Sequence, residues 1–178
     1  MPIETKATEE KDDGDEILIS YDDYMKTIYE RMNYYREKHQ APKVSKSKLL
    51  EKKALEMAKE ALKNGEVGES SKYGINYLET EVYMDDPNVL VDYMYNQKEW
   101  FNFGTLEFSD DATLFMQLVW KSSRNVGCAL EKDTEKSLFA YVCLFEPKMK
   151  EEDYAAIAKN VLPKESEGPK KATGDIER

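Results

Sequence analysis

Histidine is nearly missing from this sequence: His39 is the one imidazole in 178 residues. A Ser-His-Asp or Cys-His arrangement would have to use it, and a nitrogen-rich metal site needs more than it can give. Cysteine is almost as scarce. Cys128 and Cys143 are too few for the disulfide framework of a small secreted domain. No apolar run approaches the ~20 residues that cross a bilayer. There is no Gly-x-Ser-x-Gly elbow, no GxxxxGK(S/T) phosphate loop and no GxGxxG. The opening residues, MPIETKATEEKDDGDE, lack the apolar stretch of a secretory leader, and Pro2 stands where N-myristoylation needs glycine. A leaderless, cytoplasmic chain is the expectation, with unconventional export as the alternative.

Basic residues are the minority charge, 26 against 36 acidic, for a net charge of −10. General affinity for nucleic acid is excluded on that balance. Acidic pairs such as Glu79/Glu81 and Asp110/Asp111 have the residue types of a glycosidase. Exposed faces and helix starts account for carboxylates at this density, so no catalytic residue is assigned.

What is present reads as one domain over residues 18–163, between charged tails expected to be disordered at 1–17 and 164–178. A first helix is predicted over Asp22–His39, with Tyr24, Met25, Ile28, Met32 and Tyr35 at three-and-four spacing. His39 at its end is explained by a cation at the negative pole of the dipole. Ser45 or Ser47 caps a second helix through Lys63, stopped by Asn64-Gly65. A strand follows at Gly74–Tyr83, and Asp85-Asp86-Pro87 opens a third helix carrying Val89, Leu90, Tyr93, Met94 and Trp100. A fourth helix runs from Asp110 or Asp111 through Lys121, with Trp120 as a core residue and Gln117 as a backbone clamp. Strands at Asn125–Glu131 and Ser137–Phe145 and a closing helix at Glu151–Lys159 complete an α+β layered domain with a mainly antiparallel sheet.

The two late strands read as a hairpin around Asp133–Lys136. Counting back from that turn sets Cys128 opposite Tyr141 and leaves Cys143 as a diagonal neighbour, ~7–8 Å away and outside disulfide reach. Reduced core thiols are the expectation.

Several segments, in order, carry a resemblance. MNYYREKHQAP is similar to HNxYRxKHGAP, GINYL to GENL, and VDYMYNQKEWFNF to the region around WYxEIxxYxF. FMQLVWKSSRNVG is similar to HFTQVVW and its following turn, VGCALEKD and AYVCLFEP to VGCG and YVVCNYxP, and KNVLP to the ending of a non-secreted branch. Residues 20–163 thus resemble the CAP superfamily of cysteine-rich secretory, antigen 5 and pathogenesis-related 1 proteins, in its leaderless venom allergen-like and Golgi-associated forms. The resemblance implies a three-layer α–β–α sandwich. It also implies a central cleft where two histidines and two glutamates bind a divalent metal. Those four positions fall on Glu69, Ile75, Gln97 and Leu114, so the metal-binding set is expected to be lost and no cofactor is assigned.

Between the third and fourth helices lies FNFGTLEF, with Phe101, Phe103 and Phe108 in an aromatic-x-aromatic-xxxx-aromatic spacing. The resemblance places it where sterol-binding members carry an aromatic loop, in a caveolin-binding-type pattern. A sterol offers rigid apolar faces and one hydroxyl, which Asn102 or Thr105 would meet while Gly104 lets the loop swing. Packing of the three rings onto the core is the competing reading. The tyrosines of the first and third helices either line a groove for a fatty chain or cover a wet core boundary, and the second is favoured. The partner expectations are a sterol or fatty-acid-type lipid, a homodimer, and a peripheral membrane or caveolin-like contact.

Overall fold

A computed structural model describes residues 19–165. The expected tail at 1–17, and residues 166–178 of the other, lie outside the described residues.

Local signals start and stop the helices. Helix α1 spans Tyr21–Lys38, where the Ser20 hydroxyl accepts the N–H of Asp23 and Asp22 and Asp23 face the positive dipole end. Its residues Tyr24, Met25, Ile28, Met32 and Tyr35 are all buried. A two-residue strand β1, Ser45–Lys46, comes before α2, Lys48–Asn64. Of the two serines considered, Ser47 is the cap, accepting from Leu50 N, and Gly65 closes the helix in the left-handed conformation (φ 86°).

Strand β2 is Gly74–Thr80, three residues shorter at its end than predicted. Helix α3, Asn88–Asn96, tightens into a 3-10 turn at Gln97–Trp100. A second 3-10 turn at Asp110–Ala112 leads into α4, Thr113–Leu118, then β3, Asn125–Asp133, and β4, Leu138–Glu146. Helix α5, Tyr154–Asn160, is capped by Asp153 rather than opening at Glu151.

The sheet order is β1-β3-β4-β2, antiparallel except for the parallel β1–β3 pair. One face packs against α1, α3 and α4 through Ile28, Met32, Leu90, Phe115 and Phe145. The other carries α2 through Leu50, Ala54, Ala58 and Leu62. This is an α–β–α sandwich. Helix α2 comes close enough to touch only because position 127 is glycine: a Cβ there would lie 2.3 Å from Glu51 N.

The cysteine expectation is corrected by the strand register. Asp133 pairs with Leu138, so the turn holds residues 134–137, with Ser137 at φ 56°. Every partner moves by two, Cys128 faces Cys143 directly, and the two are joined in a disulfide. A two-residue shift preserves which side chains share a face, so the core assignment survived while the pairing changed.

A buried cation ties the layers together. Arg36 is 0% exposed and donates to the carbonyls of Pro42 (2.8 Å), Leu118 (2.9 Å), Trp120 (3.0 Å) and Ser123 (3.0 Å). Burial pulls its pKa down to about 10. Its partners include the carbonyl of Leu118, the last residue of α4, which a cation satisfies well.

Candidate functional site

The aromatic loop joins the 3-10 turn after α3 to the one before α4. Phe101 and Phe108 form an isolated antiparallel bridge that draws the loop into a closed ring. Within it, Asn102 N donates to Glu107 O at 2.8 Å, and Asn102 Oδ1 accepts from Gly104 N (2.8 Å) and Thr105 N (3.0 Å). Thr105 Oγ1 accepts from Glu107 N, and Tyr154 of α5 donates to Thr105 O. Gly104 is therefore held in the turn rather than free to swing, and Leu106 takes the left-handed backbone at φ 67°. The Asn102 carbonyl oxygen, offered earlier to a sterol hydroxyl, is committed to the loop itself.

The three rings divide by depth. Phe101, 5% exposed, belongs to the core, 4.9 Å from Phe103 and 6.2 Å from Phe115 between ring centroids. Phe103 and Phe108 are half-buried. Beside them Trp100 is 51% exposed, and these residues with Glu99 and Glu107 line an open hollow on the surface. The sequence assigns Trp100 to the third helix, whereas the structure sets it at the end of the 3-10 turn beside the loop. The run W-F-N-F was the signal that it belonged with the loop.

His39 lies beneath this cluster. It is the C-cap of α1, as expected for its position, and it is 1% exposed. Nδ1 donates to Leu162 O at 2.7 Å, and Nε2 is 2.9 Å from the Tyr95 hydroxyl. The Leu162 carbonyl can only accept, which fixes the proton on Nδ1. His39 thus fastens the segment after α5 to the end of α1, a role the dipole argument did not supply.

The four positions matched to the metal-binding set separate into two places. Gln97 and Leu114 come together, with Gln97 Oε1 accepting Leu114 N at 3.1 Å. Asn76 Nδ2 donates to Leu114 O at 3.1 Å. Glu69 and Ile75 instead line a neighbouring cleft with Asp110, Thr113, Gln117 and Lys148. A divalent ion does not fit this set: two members are aliphatic, and the amide oxygen of a third caps a backbone N–H. Among the described residues no group of three or more His, Cys, Asp or Glu could hold a metal ion. Gln117 is the clamp its position suggested. Its Oε1 accepts Met149 N and its Nε2 donates to Ser123 Oγ.

The tyrosines of α1 direct their hydroxyls to polar partners at the core boundary. Tyr24 donates to Met84 O, Tyr29 to Glu51 and Tyr35 to Asp92, which also receives Arg31 at 2.9 Å. Burial, reinforced by Asp92, pushes Tyr35 up to about 12, and burial raises Tyr24 and Tyr29 further.

Residues 29–145 match the profile of the cysteine-rich secretory protein family, CAP. The fold is similar to Schistosoma mansoni venom allergen-like protein 4, with a TM-score of 0.61 and 19% identity over 83% of this chain and 97% of that one. It is also similar to hookworm platelet inhibitor (TM-score 0.58, 19% identity, 80% and 75% covered) and to MpPR-1i (0.56, 18%, 79% and 97%). No curated protein matches the sequence significantly. At these identities the structural likeness shows the fold alone.

Proposed function

The chain belongs to the cysteine-rich secretory protein (CAP) family, and on that premise we propose that it is a non-enzymatic binding module taking a sterol or similar lipid at its aromatic loop. The observation that carries this reading is the hollow in which half-buried Phe103 and Phe108 meet exposed Trp100. A rigid apolar ring system stacks on such a surface without the loop opening. Apolar area is left in water there although buried positions lie next to it. The non-enzymatic part is supported by His39, whose ring is buried and hydrogen-bonded, and by the bonding of both cysteine sulfurs to each other. Disulfides persist in oxidising compartments, which supports action outside the cytosol over the cytoplasmic expectation.

The test is binding of a fluorescent cholesterol analogue by purified protein and by Phe103→Ala/Phe108→Ala, which spares the core ring Phe101. Saturable binding by the wild type and its loss in the variant support the reading. Equal binding by both, or none by either, removes it.

A second reading, a membrane-associated or dimerising scaffold, is favoured by Val89 and Tyr93, exposed one turn apart on α3 on the approach to Trp100. Sedimentation that shows a dimer in the wild type and a monomer in Tyr93→Glu supports it, and a monomer at all concentrations rejects it.

A further inference from the structure

The two edges of the sheet are finished differently. On the β3 side, β1 covers the first residues, and Val126 O accepts Ser47 N. Beyond β1, the next two outward N–H groups are capped by side chains: Cys128 N donates to the Tyr29 hydroxyl at 2.8 Å and Leu130 N to that of Tyr21 at 3.2 Å. The even residues of β3 therefore face outward, and its odd residues bond to β4.

That alternation carries across the register. Residues 140, 142 and 144 of β4 serve β3, and Phe139, Tyr141, Cys143 and Phe145 serve β2. Their β2 partners are Thr80, Leu78, Asn76 and Gly74. Ile75, Tyr77 and Glu79 are left with N–H and C=O groups directed away from the sheet. Among the described residues none of these backbone groups has a hydrogen-bond partner. Exposed edges are usually blunted by proline, lysine or a bulge, and GINYLET contains none of these over an unbroken register.

The charge around this edge is mainly acidic, with Lys72 exposed just before its Gly74 end. Glu79, Glu81, Asp85 and Asp86 are exposed at or beyond its Thr80 end. At the Gly74 end, Glu69, Asp110, Glu151 and Glu152 outnumber Lys148 and Lys150 around the cleft that the strand borders. A second copy of the chain would bring the same carboxylates against these, whereas a cationic strand would neutralise them.

We propose that β2 is a docking edge for an extended, lysine- or arginine-rich segment of a partner protein, which adds to the sheet as a fifth strand beside Ile75, Tyr77 and Glu79. Main-chain hydrogen bonds supply the binding, and the flanking acids select the charge.

The probe is a synthetic peptide of alternating lysine and valine long enough to span β2. It is compared with a glutamate–valine peptide and with a peptoid that carries the lysine–valine side chains on nitrogen and has no backbone N–H. Amide exchange and fluorescence anisotropy are the readouts. The lysine–valine peptide is expected to bind, to slow exchange at Ile75, Tyr77 and Glu79, and to lose about tenfold or more in affinity as the peptoid or with glutamate. Glu79→Pro removes an outward N–H that the ladder does not use together with one flanking carboxylate, so it should weaken binding more than Glu79→Gln does, while thermal unfolding of both stays close to wild type. Equal binding by peptide and peptoid, unchanged exchange at the three amides, or no binding at all overturns the proposal. So does a self-associated protein that protects the same amides without peptide. If Glu79→Pro fails to fold, the peptoid comparison on the wild-type chain decides.

Discussion

Cys128 and Cys143 stand directly opposite on the two central strands, Cα atoms 4.0 Å apart, and their sulfurs are bonded to each other. The same Cys128 gives its N–H to Tyr29, which donates in turn to Glu51 of α2. One residue therefore joins both central strands to the helices on either side of the sheet.

Protein unfolded in urea without reductant should show no thiol reactive to alkylation, and two after reduction. Replacing the pair by Cys128→Ala/Cys143→Ala should cost about 3 kcal/mol for a sequence separation of 15, read from urea unfolding midpoints. Two free thiols in the unreduced protein would contradict the bond.

Arg36 serves four carbonyls with one planar fork, and a lysine cannot reproduce that geometry. Arg36→Lys should lose about 2–4 kcal/mol, since buried carbonyls left without donors cost about 1–3 kcal/mol each. Chemical denaturation measures it. A change below 0.5 kcal/mol, of the size seen for surface substitutions, would show that the clamp is dispensable.

The aromatic loop should separate into a structural ring and two surface rings. Phe101→Ala is expected to cost about 3–5 kcal/mol as a core truncation, and Phe103→Ala or Phe108→Ala clearly less. Thermal unfolding of the three variants gives the order. Equal losses would mean that all three rings only pack.

Alkaline pH should destabilise the fold through its tyrosines. Tyr35 is raised from 10.0 to about 12, chiefly by burial, and Tyr24 and Tyr29 are raised as well. Above pH 10 the unfolded chain has released these protons while the folded one retains them. Their contribution is therefore complete below about pH 10 and is lost as pH climbs through about 12 and beyond. Tyrosinate absorbance should lag in the folded protein and rise together with loss of circular dichroism. A full tyrosine titration centred at pH 10 with the fold intact would refute this.

Much of the fold was legible because its signals are local. The periodicity of α1, the caps Ser47 and Gly65, and the short apolar runs of β3 and β4 each act within a turn or two of the chain. The site was legible in part. Spacing picked out Phe101, Phe103 and Phe108, but it carried no depth and so did not separate the buried ring from the other two or add Trp100. The four degenerate positions came from the resemblance, and only coordinates divide Gln97 and Leu114 from Glu69 and Ile75.

By itself the sequence determined which segments become the five helices and the three longer strands and that a single imidazole is on offer, because composition and short-range hydrogen bonding settle both; the two-residue strand β1 exists only through its pairing with β3. Tertiary structure decided the rest: the strand register that bonds the two cysteines, the deep placement of His39 and Arg36, and the sheet edge left open at β2. Each of those depends on partners far apart in the chain. A turn two residues longer than it looks moves every cross-strand neighbour while leaving every local preference satisfied.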